Sequence, residues 1–209
     1  MTLSPLQTLL GQGSVKQIFQ HPKYPDRVIK IINPANVTPD GCFVGHKPYK
    51  RHRQQGIYRQ FRREILQYLQ LCKNHYQLGR FTFPIETPYG FEATVHGLGL
   101  VTEKITAPDG QGWTLERLVQ ERKLEPKHYQ ALQQLFDDCV ALHIVFGEVN
   151  MAGLMYTETR HARPEFVIVD GVGEKLLIPL RSMSARINRN YIRKVQRRFL
   201  SEIAQRSHL

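Results

Sequence analysis

Over the first third of the chain the apolar residues come in short runs broken by turn-forming residues, the pattern of strands. PLQTLL leads to a glycine-rich turn at Gly11 and Gly13, and VKQIF and RVIKII follow, joined by HPKYPD; this predicts an antiparallel start. NPANVTPDGCFVGHKPYKRHRQQG is polar, turn-rich and too long for a tight connection. Between 58 and 74 the period changes, and YRQFRREILQYLQLCKN sets Phe61, Ile65, Leu69 and Cys72 on one helical face. FTFPIE, TPYG, FEATVHG and LGLVTEK return to strand-like runs, so four or five strands with one helix should make up the first half.

Beyond Pro108-Asp109-Gly110 the pattern becomes helical. Thr114 can cap a short helix carrying Leu115, Leu118 and Val119, and Pro126 suits the first position of a longer one. Its stripe is Tyr129, Leu132, Phe136, Cys139 and Val140, with His143 as a helix-end residue. A hairpin of LMYTET and FVIVD follows, then the turn Asp170-Gly171-Val172-Gly173. A last helix from about Ser184 turns Ile192, Val195, Phe199 and Ile203 inward and its arginines outward. The fold class is therefore α+β: an antiparallel sheet with one helix over residues 1–106, carrying a basic insertion at about 33–58, then a mainly helical part over 107–209. That order is the bilobal layout of the protein-kinase-like fold.

Composition narrows the class further. The 209 residues are 41% hydrophobic, enough for a full core, and no run is long and apolar enough to span a bilayer. With no signal-like start, a cytoplasmic location is expected. The three cysteines, Cys42, Cys72 and Cys139, have no zinc or disulfide spacing, and Cys72 and Cys139 fall on helical stripes that predict core positions. The formal charge of +11 concentrates in residues 46–63 and 181–209. Such a field attracts phosphates, nucleic acid or an acidic partner without choosing among them, and a solvated basic face accounts for it equally.

The candidate chemistry lies in the order of motifs. Gly11, Gly13 and Ser14 in GQGSVK could bring backbone close to phosphate oxygens, though such turns also occur in plain hairpins. Lys30 in VIKI is either an exposed strand lysine or a phosphate contact, and Glu64 is either a surface glutamate or the helix partner of Lys30. The main chain of Glu103 and Ile105, at the end of the sheet, could bind an adenine. Asp170 ends an apolar strand before Gly171, as a magnesium ligand or a plain turn residue would. HIVFGEVNMAGLMY holds the place of a catalytic loop, with Glu148 where an Asp base is usual and Gly153 in place of the Asn that binds a second magnesium.

The run VIVDGVGEKLLIPLRSMSARINRNYIRKVQRRFL, supported by GQGSVKQIF, RVIKI and FRREI, resembles the YrbL family of bacterial PhoP regulatory network proteins. The resemblance implies a kinase-like fold, a place in a regulatory network and tolerance of a lost catalytic aspartate. The reading is then a kinase-like regulator binding ATP and magnesium, either a pseudokinase or a weak phosphotransferase. Two alternatives stay open. One is an active kinase using Glu148 as base on a protein or small-molecule substrate, Gly147-Glu148 favouring a small hydroxylated one. The other is a basic module for nucleic acid or an acidic partner.

Overall fold

The computed structural model describes residues 8–45, 55–175 and 178–207. The start of PLQTLL, residues 46–54 of the basic stretch 46–63, and Leu176 and Leu177, the latter opening the Leu-Ile-Pro-Leu run, lie outside these. The chain forms two compact units, one of residues 1–65 and 87–104, the other of residues 66–86 and 105–209. The chain passes from the first unit to the second at 104/105, and residues 66–86 cluster with the second unit.

The first unit is a five-stranded antiparallel sheet in the order β1-β2-β3-β5-β4, built from β1 (Leu9–Gln12), β2 (Lys16–Gln20), β3 (Arg27–Ile32), β4 (Pro88–Thr94) and β5 (Gly97–Glu103). Gly11 lies inside β1 at a register shift, so the turn proper runs through Gly13, Ser14 and Val15 and is tighter than the glycine spacing suggests. The β3 register sets Lys30 opposite Ile18 and Leu100, and Lys16 opposite Ile32. Ile32 and Leu100 pack with Ile57 and Phe61, the latter from helix α1 (Arg59–Asn74). Alternation along the strands therefore puts Lys16 and Lys30 on this helix-covered face. Lys30 is 2% exposed, which overturns the exposed-strand reading.

The α1 stripe is rotated from the one expected. Leu69 is 54% exposed, whereas Leu71 is fully buried among Phe83 and other residues of the second unit. The cause is that the helix lends its first turns to one unit and its last turns to the other, so one heptad-like stripe cannot serve both. FTFPIE is not a strand; Ile85 makes a single bridge to Ile168 instead.

The second unit gathers α2 (Leu115–Gln120), α3 (Pro126–Ala141), α4 (Leu180–Met183) and α5 (Ala185–Ser207) around a small sheet in the order β6-β7-β8. Its strands are β6 (Trp113–Thr114), β7 (Leu154–Thr157) and β8 (Glu165–Ile168); β6 is too short to leave a sequence pattern. Thr114 caps α2, its hydroxyl accepting the Arg117 N–H at 3.1 Å, and Pro126 opens α3. The core seam of α3 is His128, Ala131, Leu132, Leu135, Phe136 and Cys139, with Tyr129 turned out. Phe136 lies between Phe146 and Phe199, at centroid distances of 6.1 and 5.9 Å. All four expected apolar positions of α5 are buried. Cys139 is buried and Cys72 half-buried; the third cysteine, Cys42, is buried as well, and all three are free thiols. No described helix is long and apolar enough to cross a membrane.

The rotated stripe gives a direct test. Leu71→Ala should lower unfolding free energy by about 2–5 kcal/mol through lost burial and an unfilled cavity. Leu69→Ala should stay within about 0.5 kcal/mol of wild type in the same urea titration.

Candidate functional site

In the first unit, Glu64 lies three residues after Phe61 and so shares its helix face. Its Oε1 accepts from Lys16 Nζ, both side chains being nearly buried, while its Oε2 is buried without a hydrogen-bond partner. The partner shown for the helix glutamate is thus Lys16, from the strand after the glycine turn, which the sequence reading had not singled out. Lys16 also sits 5.9 Å from the Phe61 ring centroid. At the end of β5 the Glu103 N–H is committed to the Thr87 carbonyl at 3.0 Å, and its carboxylate accepts the Thr87 N–H at 2.7 Å. Of the two residues expected to meet an adenine through the main chain, Glu103 therefore has its donor in use. Ile105 belongs to the second unit, where it packs with Val167 and Val169.

In the second unit, the stretch after α3 folds directly onto the turn after β8. The Gly171 carbonyl accepts the N–H groups of Gly147 at 2.7 Å and Glu148 at 2.9 Å; Gly173 N–H donates to Val145 O at 2.8 Å, and Val169 N–H to Gly153 O at 2.8 Å. Such backbone contact requires glycine. A Cβ on Gly147 would lie 2.7 Å from Gly173 O, and one on Gly171 would lie 2.6 Å from Glu148 O at a backbone φ of 86°.

Side chains from elsewhere in the unit take up the loop's remaining backbone groups. Gln67 Oε1 accepts the Val145 N–H at 3.0 Å, and Asn188 Nδ2 donates to Ile144 O at 3.0 Å. Arg181 Nη1 donates to Phe146 O at 2.6 Å, and Arg198 Nη2 to Val149 O at 3.2 Å. Arg181 is 7% exposed and pairs with Glu174 at 3.0 Å while stacking 4.5 Å over Tyr191. It therefore leaves the expected outward basic face. Burying a cation there is sustainable because a carboxylate and a carbonyl both receive it. His143 lies two residues beyond α3 at φ 54°, its Nε2 2.7 Å from Arg181 O.

This framework brings Glu148 and Asp170 onto abutting backbone. Glu148 is 62% exposed and its Oε1 accepts from Lys175 Nζ, a residue the sequence reading passed over. Asp170 is exposed, and its Oδ1 accepts the Gly171 N–H at 2.8 Å, which orients the carboxylate at the strand end. Asn150 Oδ1 accepts the Gly153 N–H at 2.9 Å and so acts as a cap. A Cβ at Gly153 would lie 3.2 Å from Asp170 O, so the second-ligand position has little room for a side chain. Among the described residues no group of three or more His, Cys, Asp or Glu is arranged to hold a metal ion. The carboxylate of Asp170 does fit one magnesium ion that keeps waters and phosphate oxygens as its other ligands, the habit of that ion.

The elements come in the order of the protein-kinase-like fold: a five-stranded sheet with its helix, a short helix, a long helix, a loop, a hairpin and a strand-end aspartate. Over residues 2–204 the chain matches the family described as PhoP regulatory network protein YrbL, and it belongs to that family. No curated protein matches it. Among solved structures, crystal structures of two double mutants of the Mycobacterium tuberculosis PknI kinase domain are similar at 13% and 15% identity, each with a TM-score of 0.45 over 79% of this chain. The chain spans 57% and 59% of the length of those two domains.

Two basic residues separate a structural from a solvated role. Arg181→Met removes a buried cation that pairs with Glu174 and donates to the Phe146 carbonyl, and should cost about 3–5 kcal/mol in unfolding free energy. Arg186→Met, on the exposed side of α5, should change it by less than about 0.5 kcal/mol.

Proposed function

We propose that this chain is a cytoplasmic nucleotide-binding regulator of kinase-like design, with ATP and magnesium as its ligands and phosphotransfer weak or lost. The observation that carries the reading is the backbone clamp between the 145–153 stretch and the 169–173 turn, which fixes Asp170 at a strand end beside Glu148. A rigid element of that kind is what a metal-bound phosphate needs. Gly11, Gly13, Ser14 and Lys30 would meet the phosphates, Glu64 would align the lysines, and the Glu103–Ile105 backbone would meet the base. Magnesium, when bound, neutralises phosphate charge at Asp170.

Three features argue for weak chemistry. Glu148 carries one methylene more than aspartate, and misplacing a base by about an ångström can cost on the order of a hundredfold in rate. Its carboxylate is engaged by Lys175. Gly153 brings no side-chain ligand, and Asn150 has its oxygen in a cap. The second reading, an active kinase with Glu148 as base on a protein or small-molecule substrate, draws on the exposure of that carboxylate. The basic face contributes separately: with Arg181 and Arg198 holding the loop, Arg186, Arg189 and Arg197 remain exposed for an acidic partner or nucleic acid.

Thermal unfolding with ATP and magnesium tests the ligand assignment. At about a hundred times Kd the ligand should stabilise wild type by about 2.7 kcal/mol. Lys30→Ala and Asp170→Ala should each lose most of this gain, measured against their own ligand-free melting. Equal gains in all three proteins would rule out the assignment.

Phosphate release separates the two readings. If Glu148 is the base, turnover vanishes in Glu148→Gln and rises in Lys175→Ala; background turnover in all three proteins keeps the pseudokinase reading.

A further inference from the structure

The second unit holds a cavity of about 780 Å³ that the loop and turn described above do not use. It lies among β6, the end of α2, the start of α3 and the end of β7, and its volume is in the range of small-molecule sites. Its apolar walls include Leu118, Leu124 and the rings of Trp113 and Tyr156.

The ionisable groups around it are nearly all satisfied. Asp109 accepts from Trp113 Nε1 at 2.7 Å and from the Gln111 N–H at 2.9 Å, contacts that hold its carboxyl below the usual range. Lys123 pairs with Glu121 at 2.7 Å, and Lys127 with Glu158 at 2.9 Å and Glu125 at 3.4 Å. The Tyr156 hydroxyl donates to Glu158 at 2.6 Å. Arg122 is the exception: it lines the cavity, and its guanidinium makes no hydrogen bond or ion pair among the described residues.

A second donor faces the same space. His128 is 5% exposed, and its Nδ1 accepts the Glu125 N–H at 2.9 Å, so the proton of the neutral ring sits on Nε2. Burial depresses its pKa, which favours that neutral form. The ring packs on Tyr156 at 4.4 Å, and its Nε2–H has no partner among the described residues.

From this balance of charge and surface we infer that the cavity is a binding site for a small aromatic carboxylate. The carboxylate meets the Arg122 guanidinium and the His128 Nε2–H, and the ring lies against Trp113, Tyr156 and the two leucines. Arg122 is exposed, and a ligand carboxylate would form with it an ion pair that a cationic or neutral ligand could not. The site is independent of the nucleotide assignment, since none of its residues belongs to that set.

Trp113 is the single tryptophan of the chain and lines this cavity, so its emission serves as the reporter. The full chain is titrated with benzoate and, separately, with benzyl alcohol. Benzoate should change Trp113 emission saturably and more tightly than benzyl alcohol. Arg122→Asn, chosen because asparagine tolerates the residue's left-handed backbone at φ 54°, should weaken benzoate by about tenfold, and Arg122→Lys should keep part of the affinity. No saturable response, benzoate binding no better than the alcohol, or unchanged affinity in Arg122→Asn would each overturn the assignment.

Discussion

The Gly171 carbonyl accepts two N–H groups at once, from Gly147 and Glu148, and the arrangement of the second unit's candidate site depends on that double contact. Backbone can come this close only where side chains are missing, which explains glycine on both sides of the contact. With the approach fixed, the stretch between α3 and β7 cannot satisfy its own carbonyls through regular structure. Side chains do it instead: the buried Asn188 for Ile144 and Arg181 for Phe146, and the exposed Arg198 for Val149. Unpaired buried backbone groups are costly, so these contacts hold the loop in one conformation.

The same economy of contacts shapes the chemistry open to the site. Asn150 and Glu148 both have polar atoms suited to phosphate chemistry, and both use them internally, one in a cap and one on Lys175. Asp170 lies exposed at the strand end, its Oδ1 accepting the neighbouring Gly171 N–H. On the proposed reading, such a site would hold a metal-bound phosphate rather than move a proton. In the first unit, the Lys16 and Glu64 pair is held in a nearly buried setting, where its geometry is less free to vary than that of a surface pair.

Much of the fold could be read from the sequence because it rests on local pattern. The strand runs, the Thr114 cap, Pro126 at a helix start and the four inward positions of α5 are set by alternation, caps and period. The misses share a physical cause, which is dependence on distant parts of the chain. Leu69 and Leu71 exchange roles because α1 serves two units, and β6 forms only because Trp113 and Thr114 find Tyr156 and Met155. Lys16, Lys175 and Arg181 resemble any other basic residue until the fold supplies their partners. Asn188 alone left a trace, as a polar residue one helical turn before Ile192 on the buried stripe of α5.

The central claim is that Asp170, held by the glycine clamp, receives a magnesium-bound nucleotide. A crystal structure of the full chain with magnesium and a non-hydrolysable ATP analogue tests it most directly. The account predicts magnesium at about 2.0–2.1 Å from an Asp170 oxygen, with phosphate oxygens and waters completing its shell. Nucleotide bound with its magnesium away from Asp170, or no nucleotide bound at saturating concentration, would contradict it.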